Sequence, residues 1–307
     1  MTQGAKKGQQ EVRKEKRPTI PTEEYVTKGH MACQGCGAVL AMRYLLKALG
    51  PRTIISTPAC CWSVIHGQFP YWCLKVPVMH TAFEATGASI SGIAAALEMR
   101  GVENVNVVGF AGDGGTADIG IQSLSAAVER GEPIIYCCYD NEAYMNTGIQ
   151  RSGSTPYGAW TTTTPGESWK KRPKKNMVEI MVAHEIPYAA TACVAYPEDM
   201  IKKAIKAKEN KPAYLHVLAP CPTGWRYPPA EGIRIGRMAV QSRTFPLYEV
   251  DHGAYRITAR PRTIPVKNYL ESQGRFKHLT SDAMDYIQQQ VDRRWAQLEG
   301  KAGSKLK

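Results

Sequence analysis

Two sites along this chain have the residue types and spacing to build a diphosphate anchor. Gly112-Asp113-Gly114-Gly115 stands where an apolar run, Asn104–Ala111 (NVNVVGFA), ends. Glycines there let a backbone come close to a phosphate, and a helix starting at that point offers unpaired N–H groups and the positive end of its dipole. Asp113 cannot serve the phosphate directly, because two anions repel. A carboxylate beside a diphosphate makes sense when a divalent cation lies between them, and Mg²⁺ with hard oxygen ligands is the usual choice. The second site is Asn141, just past the next apolar run, Pro133–Asp140 (PIIYCCYD), and 27 positions after Gly114. Adjacent parallel strands would set Asn141 beside Asp113, its amide oxygen a neutral ligand, with the Ala143 carbonyl as a third. Gly-Asp-Gly alone is a common turn; the pairing with Asn141 at the next strand end is what makes the signal specific.

Nine cysteines among 307 residues are too few for a disulfide scaffold. Cys33-Gln-Gly-Cys36 has three readings: a redox disulfide, half of a zinc site, or half of an iron–sulfur site. A redox pair would begin a helix after a strand, and no strand precedes Cys33. Zinc would want a second close pair, and neither Cys60-Cys61 nor Cys137-Cys138 has that spacing. A four-iron cluster accepts two nearby thiolates plus two remote ones, and a last cysteine followed by proline suits it, as at Cys221-Pro222. Cys60 and Cys61, in the loop after Thr53–Ser56, are both candidates for the third ligand. Cys73, Cys137, Cys138 and Cys193 sit in apolar settings and read as core residues.

The elements that must position these residues follow from periodicity. Residues 38–49 have helical spacing and stop at Gly50-Pro51, and 84–100 form a small-residue helix able to pack closely against another backbone. Then come a strand over Asn104–Ala111, a helix over Ile119–Arg130, a strand over Pro133–Asp140, a helix over Met177–Glu185, a strand over Tyr188–Val194, a helix over Pro197–Glu209 and a strand over Ala213–Ala219. This alternation predicts an α/β fold, a mostly parallel sheet with helices on both faces, which binds ligands at the carboxyl ends of its strands. Residues 1–22 read as a flexible basic arm, 23–221 as the α/β domain, and 222–307 as an extended basic segment ending in a helix over Ser281–Leu298.

Composition narrows the function. With 43% hydrophobic and 21% charged residues the chain is globular. The N-terminus has no apolar segment, so no secretory signal is expected, and the longest charge-free stretch, Thr53–Leu74, is broken by prolines and a glycine, so no membrane span is expected. The reading is a cytoplasmic protein with reduced thiols. The net charge of +12 gathers in residues 1–20, in Lys170–Lys175 and in 255–307. No nucleic-acid recognition pattern accompanies it; a solvated arm and tail, or a docking face for acidic protein partners, accounts for it.

The glycine–aspartate loop with its following asparagine resembles the thiamine-diphosphate motif. Longer blocks carry the resemblance further: GHMACQGCGAVLAMRYLLKALG, GDGGTADIGIQSLSAAVERG, YDNEAYMNTGIQRSGSTPYGAWTTTTPG and HVLAPCPTGWR look like the thiamine-diphosphate-binding β subunit of 2-oxoacid:ferredoxin oxidoreductases, the pyruvate synthase type, over about residues 25–235. That resemblance implies thiamine diphosphate, Mg²⁺ and one [4Fe–4S] cluster on this chain. By motif, Cys33, Cys36, Cys61 and Cys221 match cluster ligands, Cys61 being favoured over Cys60 by the WSVIHGQFP that follows it. Asp113, Asn141 and the Ala143 carbonyl match metal ligands, Gly112, Gly114 and Gly115 the diphosphate lining, and Asn146 the substrate end of the thiazolium.

The implied activity is coenzyme A-dependent oxidative decarboxylation of a 2-oxoacid to acyl-CoA and CO₂, with electrons leaving singly through the cluster. Pyruvate is the expected substrate; oxalate, branched-chain, 2-oxoglutarate or aryl 2-oxoacids such as phenylglyoxylate are alternatives, as is NAD through another subunit instead of ferredoxin. The resemblance also implies that a partner chain supplies the carboxylate at the aminopyrimidine ring, since this chain offers only Glu84 and Glu142. A non-redox thiamine decarboxylase or carboligase would not need the cysteines, and a zinc-stabilised binding protein would not need the loop.

Overall fold

The computed structural model describes residues 20–303 of the chain. Most of the basic arm and the last four residues lie outside the described residues. In chain order the strands are β1 (Thr53–Pro58), β2 (Val78–Thr81), β3 (Asn106–Gly112), β4 (Ile134–Asp140), β5 (Tyr188–Cys193), β6 (Ala213–Leu218), β7 (Tyr248–Asp251) and β8 (Ala254–Ile257). The helices are α1 (Gly37–Leu49), α2 (Trp62–Ile65), α3 (Thr86–Met99), α4 (Ile121–Glu129), α5 (Met177–Val182), α6 (Pro197–Glu209), α7 (Pro222–Trp225), α8 (Gly232–Gln241), α9 (Val266–Glu271) and α10 (Ser281–Gly303).

All eight strands join one sheet in the order β2-β1-β3-β4-β6-β5-β7-β8. The first six of these are parallel, while β7 runs antiparallel to β5 and β8 antiparallel to β7. The central strands β3 and β4 are buried at every position, as a sheet covered on both faces requires. Alternate side chains divide between two cores. Val108, Phe110, Cys137 and Tyr139 face α1 and α6, while Val107, Ala111, Tyr136 and Cys138 face α3, α4 and α5. The small-residue helix does pack closely: a Cβ on Gly87 would lie 2.4 Å from the backbone of Ser123 in α4.

Three regions differ from the sequence expectation. The four-residue strand β2 lies at the sheet edge, and its half-exposed VMHT gives too short and too mixed a pattern to read. Residues 222–303 are not simply extended: they contain α8, the β7–β8 hairpin and α9, and with α10 they close a third core around Trp225, Leu247 and Phe276. The hairpin adds to the sheet beside β5, and Tyr188 on β5 donates to the buried Glu249 at 2.8 Å. At the other end, residues 21–23 are tied to the body, because the buried Lys47 ammonium donates to the carbonyls of Pro21, Thr22 and Glu23 at 2.8, 3.2 and 3.0 Å. Among the described residues, no helix is long and apolar enough to cross a membrane.

Candidate functional site

The parallel register sets Gly112 directly opposite Tyr139, so the loops leaving β3 and β4 emerge side by side at the carboxyl edge. From Gly112 the chain enters a π-helical turn, Gly115–Ile119, before α4, a distortion that proteins often keep at functional sites. Thr116 fixes the turn by donating to the Gly112 carbonyl at 2.8 Å. Gly114 must be glycine, since a Cβ would lie 2.4 Å from the Tyr144 ring. A cavity of about 220 Å³ opens there, lined by Gly112 to Gly115, Tyr139, Asn141, Ala143, Tyr144, Asn146, Cys60 and Cys61. Asn146 lies at its exposed rim.

The Asn141 side-chain amide is 2.9 Å from both Asp113 Oδ1 and the Ala143 carbonyl. With its oxygen turned that way, three acceptor oxygens converge and repel one another, an arrangement that a hard cation relieves; with its nitrogen turned that way, it donates to both. Charge balance points to the first. The neighbouring carboxylates Asp140 and Glu142 are buried but paired, Lys174 lying 2.7 and 2.8 Å from them and Arg275 2.6 Å from Glu142. Two cations thus balance two anions, and Asp113 is left over. It is 1% exposed and, with Asn141 in that orientation, its one side-chain donor among the described residues is the Ser152 hydroxyl. Burial, reinforced by the charge of Asp140, pushes its carboxyl well above the usual range. By contrast, although burial works the other way, Lys174 and His216 hold the Asp140 carboxyl well below that range. An unpaired buried carboxylate with two converging neutral oxygens suits a divalent cation.

The loop between the two nominated ligands is held firmly. Glu142 adopts a left-handed φ of 68°, and its N–H donates to Asp140 Oδ1 at 2.9 Å. Thr155 donates to its carbonyl at 2.8 Å, and the Trp225 indole donates to the Asn141 carbonyl at 2.7 Å. Arg275 stacks on that indole, 3.9 Å from the ring centre. Sequence reasoning missed Lys174, Trp225, Arg275 and Ser152. Lys170, Lys174 and Lys175 looked like part of a solvated or docking cluster, yet the Lys170 ammonium donates to the Gly153 and Thr155 carbonyls, Lys174 joins the buried network and Lys175 pairs with Asp118. Only Lys171 and Arg172 keep the expected character.

The nominated thiols are linked in sequence, Cys61 lying within electrostatic reach of Cys36 and Cys221, and Cys221 within reach of Cys36 and Cys33. Gly35, at φ 73°, packs so closely on Pro229 that a Cβ would lie 2.4 Å from its carbonyl oxygen, and Gly37 donates to the Pro220 carbonyl at 3.1 Å. These contacts seat the Cys33–Cys36 loop on the segment carrying Cys221, whose sulfur accepts from the Gly224 N–H at 3.4 Å. Burial pushes the Cys61 thiol up to about 12, and the charges of Cys60, Cys221 and Cys36 add to the effect. Burial likewise pushes Cys221 up to about 11, with Cys36 and Cys33 close enough to contribute. Cys61 therefore stands within electrostatic reach of Cys36 and Cys221 and also lines the cavity. Among the described residues, no three His, Cys, Asp or Glu side chains converge on a single metal ion; a cubane binds each thiolate at a different iron. Cys73, Cys137, Cys138 and Cys193 are buried, as expected of core residues.

Neither acidic residue considered for the aminopyrimidine is a free carboxylate on the cavity wall. Glu142 is locked by Lys174 and Arg275, and Glu84 does not line the cavity, in which Asp113 is the one carboxylate among the described residues.

The family profile for the C-terminal TPP-binding domain of thiamine pyrophosphate enzymes matches residues 59–217. The ketoisovalerate oxidoreductase subunit VorB of Pyrococcus furiosus is 52% identical over 296 residues, covering 92% of this chain and 95% of that one. The pyruvate synthase subunit PorB of Methanothermobacter thermautotrophicus is 52% identical over 278 residues, covering 89% and 96%. A solved 2-oxoglutarate:ferredoxin oxidoreductase from Magnetococcus marinus shares the fold, with a TM-score of 0.59 at 18% identity over 93% of this chain and 94% of that one.

Proposed function

Because this chain belongs to the thiamine-pyrophosphate-binding β subunits of 2-oxoacid:ferredoxin oxidoreductases, we propose that it is the catalytic-cofactor subunit of a complex that oxidatively decarboxylates a 2-oxoacid to its acyl-CoA. The observation that carries the reading is the convergence of Asp113, Asn141 and the Ala143 carbonyl at the ends of neighbouring strands, in a cavity that also contains Cys61. In this reading Asp113, Asn141 and Ala143 hold Mg²⁺, and the Gly112–Gly115 turn takes the diphosphate. Cys33, Cys36, Cys61 and Cys221 hold a [4Fe–4S] cluster.

When bound, thiamine diphosphate supplies the electron sink that lets a 2-oxoacid lose CO₂, and a cluster beside it accepts electrons one at a time. The chain's own residues do the positioning. Lys174 and Arg275 neutralise the carboxylates flanking the loop, so that Asp113 alone presents net charge to the cation. The Tyr139 hydroxyl, accepting from the Cys61 N–H at 3.1 Å, fixes that cysteine against the cavity wall. Asn146, at the rim, is placed to hydrogen-bond the substrate's carbonyl or carboxylate. A partner subunit covers the open side and contributes the carboxylate that the cavity lacks.

Pyruvate is the substrate we favour, with the branched-chain 2-oxoacid named for the Pyrococcus relative as its rival; ferredoxin, or an NAD-linked subunit, is the electron acceptor, and the reduced thiols suit the cytoplasm. The test is to purify the native complex, measure thiamine diphosphate, iron and acid-labile sulfide, and assay a panel of 2-oxoacids with coenzyme A and a viologen dye. Dye reduction that needs both 2-oxoacid and coenzyme A is expected. A chain that binds thiamine diphosphate but holds no iron refutes the redox reading.

A further inference from the structure

The metal loop has two faces. Asn141 and Ala143 line the cofactor cavity, whereas Glu142 between them, turned by its left-handed backbone, lines a second cavity of about 240 Å³ on the other side. Lys174 also lines this second cavity, and so do Arg293 and Arg294 of α10. Three cations there face one carboxylate, and that carboxylate is already taken up by Lys174 and Arg275. Among the described residues, neither Arg293 nor Arg294 forms an ion pair; the Arg294 Nε donates to the Gln290 carbonyl at 3.1 Å.

The rest of the lining is apolar and aromatic. Tyr157 and Tyr286 stand with ring centres 5.0 Å apart, and Leu270 and Ile287 complete the wall. The volume is below the roughly 300 Å³ at which sites for drug-sized ligands begin, so a single ring or a short branched chain fits and a whole nucleotide does not.

We propose that this second cavity binds a small organic anion, a phosphate or carboxylate on a compact apolar or aromatic body, and that its occupancy is linked to how the Asn141–Ala143 loop holds its cation. The anion pairs with Arg293 and Arg294, and its body lies against the tyrosines. A negative charge entering beside Lys174 competes with Glu142 for that ammonium, and Glu142 is the residue joining the two nominated ligands. Such coupling is reciprocal, so cofactor binding must shift the anion's affinity by the same factor. The binding half stands on this cavity alone; the linkage half rests on the proposed function.

The test titrates the native complex calorimetrically with phenyl phosphate, inorganic phosphate and phenol. Phenyl phosphate is expected to bind saturably and more tightly than either other probe. An Arg293→Ala/Arg294→Ala double variant, which changes two exposed side chains and should melt like the parent, is expected to weaken it at least tenfold. Phenol binding as well as phenyl phosphate, no saturable binding, or affinity that survives the double replacement overturns the site. Adding thiamine diphosphate with Mg²⁺ is expected to shift the phenyl phosphate affinity at least twofold. No shift while the cofactor itself binds overturns the linkage, and failure of the cofactor to bind overturns the proposed function while the site stands.

Discussion

Replacing Asp113 by asparagine separates a metal ligand from a residue kept for folding, because the two roles give opposite signs. Among the described residues, Asp113 is the one buried carboxylate of the site without a cationic partner, and burial followed by the charge of Asp140 raises its folded pKa. A raised folded value means that ionisation disfavours the folded state. Stability without cofactor should therefore fall as pH rises from the ordinary carboxylate range toward the raised value. The Asp113→Asn change removes that charge at little steric cost: its oxygen can still accept from Ser152, and its new amide can donate to the Asn141 oxygen. An unpaired buried ion costs several kcal/mol, of which relaxation returns part, so relief of about 2 kcal/mol is a fair expectation. At roughly 2–4 °C per kcal/mol for a domain of this size, the cofactor-free variant should melt about 4–8 °C above the parent at pH 8. Near pH 4 the two should converge. Saturating thiamine diphosphate and Mg²⁺ at a hundredfold excess over Kd should stabilise the parent by about 2.7 kcal/mol and leave the variant unmoved. Calorimetric melting at both pH values, with and without cofactor, decides it. A variant that melts lower without cofactor yet still gains from its addition refutes the reasoning.

Three further outcomes test other parts of the site. Cys61→Ser should lower iron and acid-labile sulfide to background while Cys60→Ser leaves both near parental levels; equal loss in the two would mean that the pair is not distinguished. Gly114→Ala should abolish cofactor-induced stabilisation, since its Cβ would lie 2.4 Å from the Tyr144 ring and force that ring, held to Asp118 at 2.8 Å, toward the cavity; a parental thermal response to cofactor would count against the turn as the diphosphate seat. Lys47→Met keeps the packing but leaves three carbonyls, Pro21, Thr22 and Glu23, without their donor, and should cost about 2–3 kcal/mol in denaturant unfolding, with a loss under 0.5 kcal/mol refuting it.

Strands buried on both faces write their position into the sequence as unbroken apolar runs, which is why β3, β4, β5 and β6 lie within two residues of where the pattern puts them. The Gly112–Gly115 loop was legible as a strand-end turn, and what set it apart from an ordinary Gly-Asp-Gly turn was Asn141 at the end of the neighbouring strand. What could not be read is how the loop is neutralised. Arg275 lies 133 positions from Glu142, and no spacing rule reaches that far. Lys174 sat in a run of basic residues whose usual fate is solvent, and only the fold reveals that one of them enters a buried acid pair. The β7–β8 hairpin escaped notice because Arg, Pro and Gly around it obscure two four-residue strands that are stabilised by the sheet edge they extend.

The placement of Cys61 gives the proposed chemistry a direction. Of the four nominated thiols it alone lines the cavity beside Asp113, while Cys33 and Cys36 line a separate groove of about 760 Å³ and Cys33 is exposed. A cluster held between them would face the diphosphate cavity at one corner and the groove at the opposite side. Electrons entering by way of Cys61 would then leave past Cys33 and Cys36. The glycines at 35 and 37 press the Cys33–Cys36 loop onto Pro220 and Pro229, and in the proposed arrangement they would also set the span between entry and exit. Widening that loop by a Gly35→Ala change, which meets the Pro229 carbonyl at 2.4 Å, should therefore disturb the cluster's electron paramagnetic resonance signal while leaving cofactor-induced stabilisation intact. Loss of both together would mean that the two pockets form one cooperative unit, without the polarity argued from Cys61.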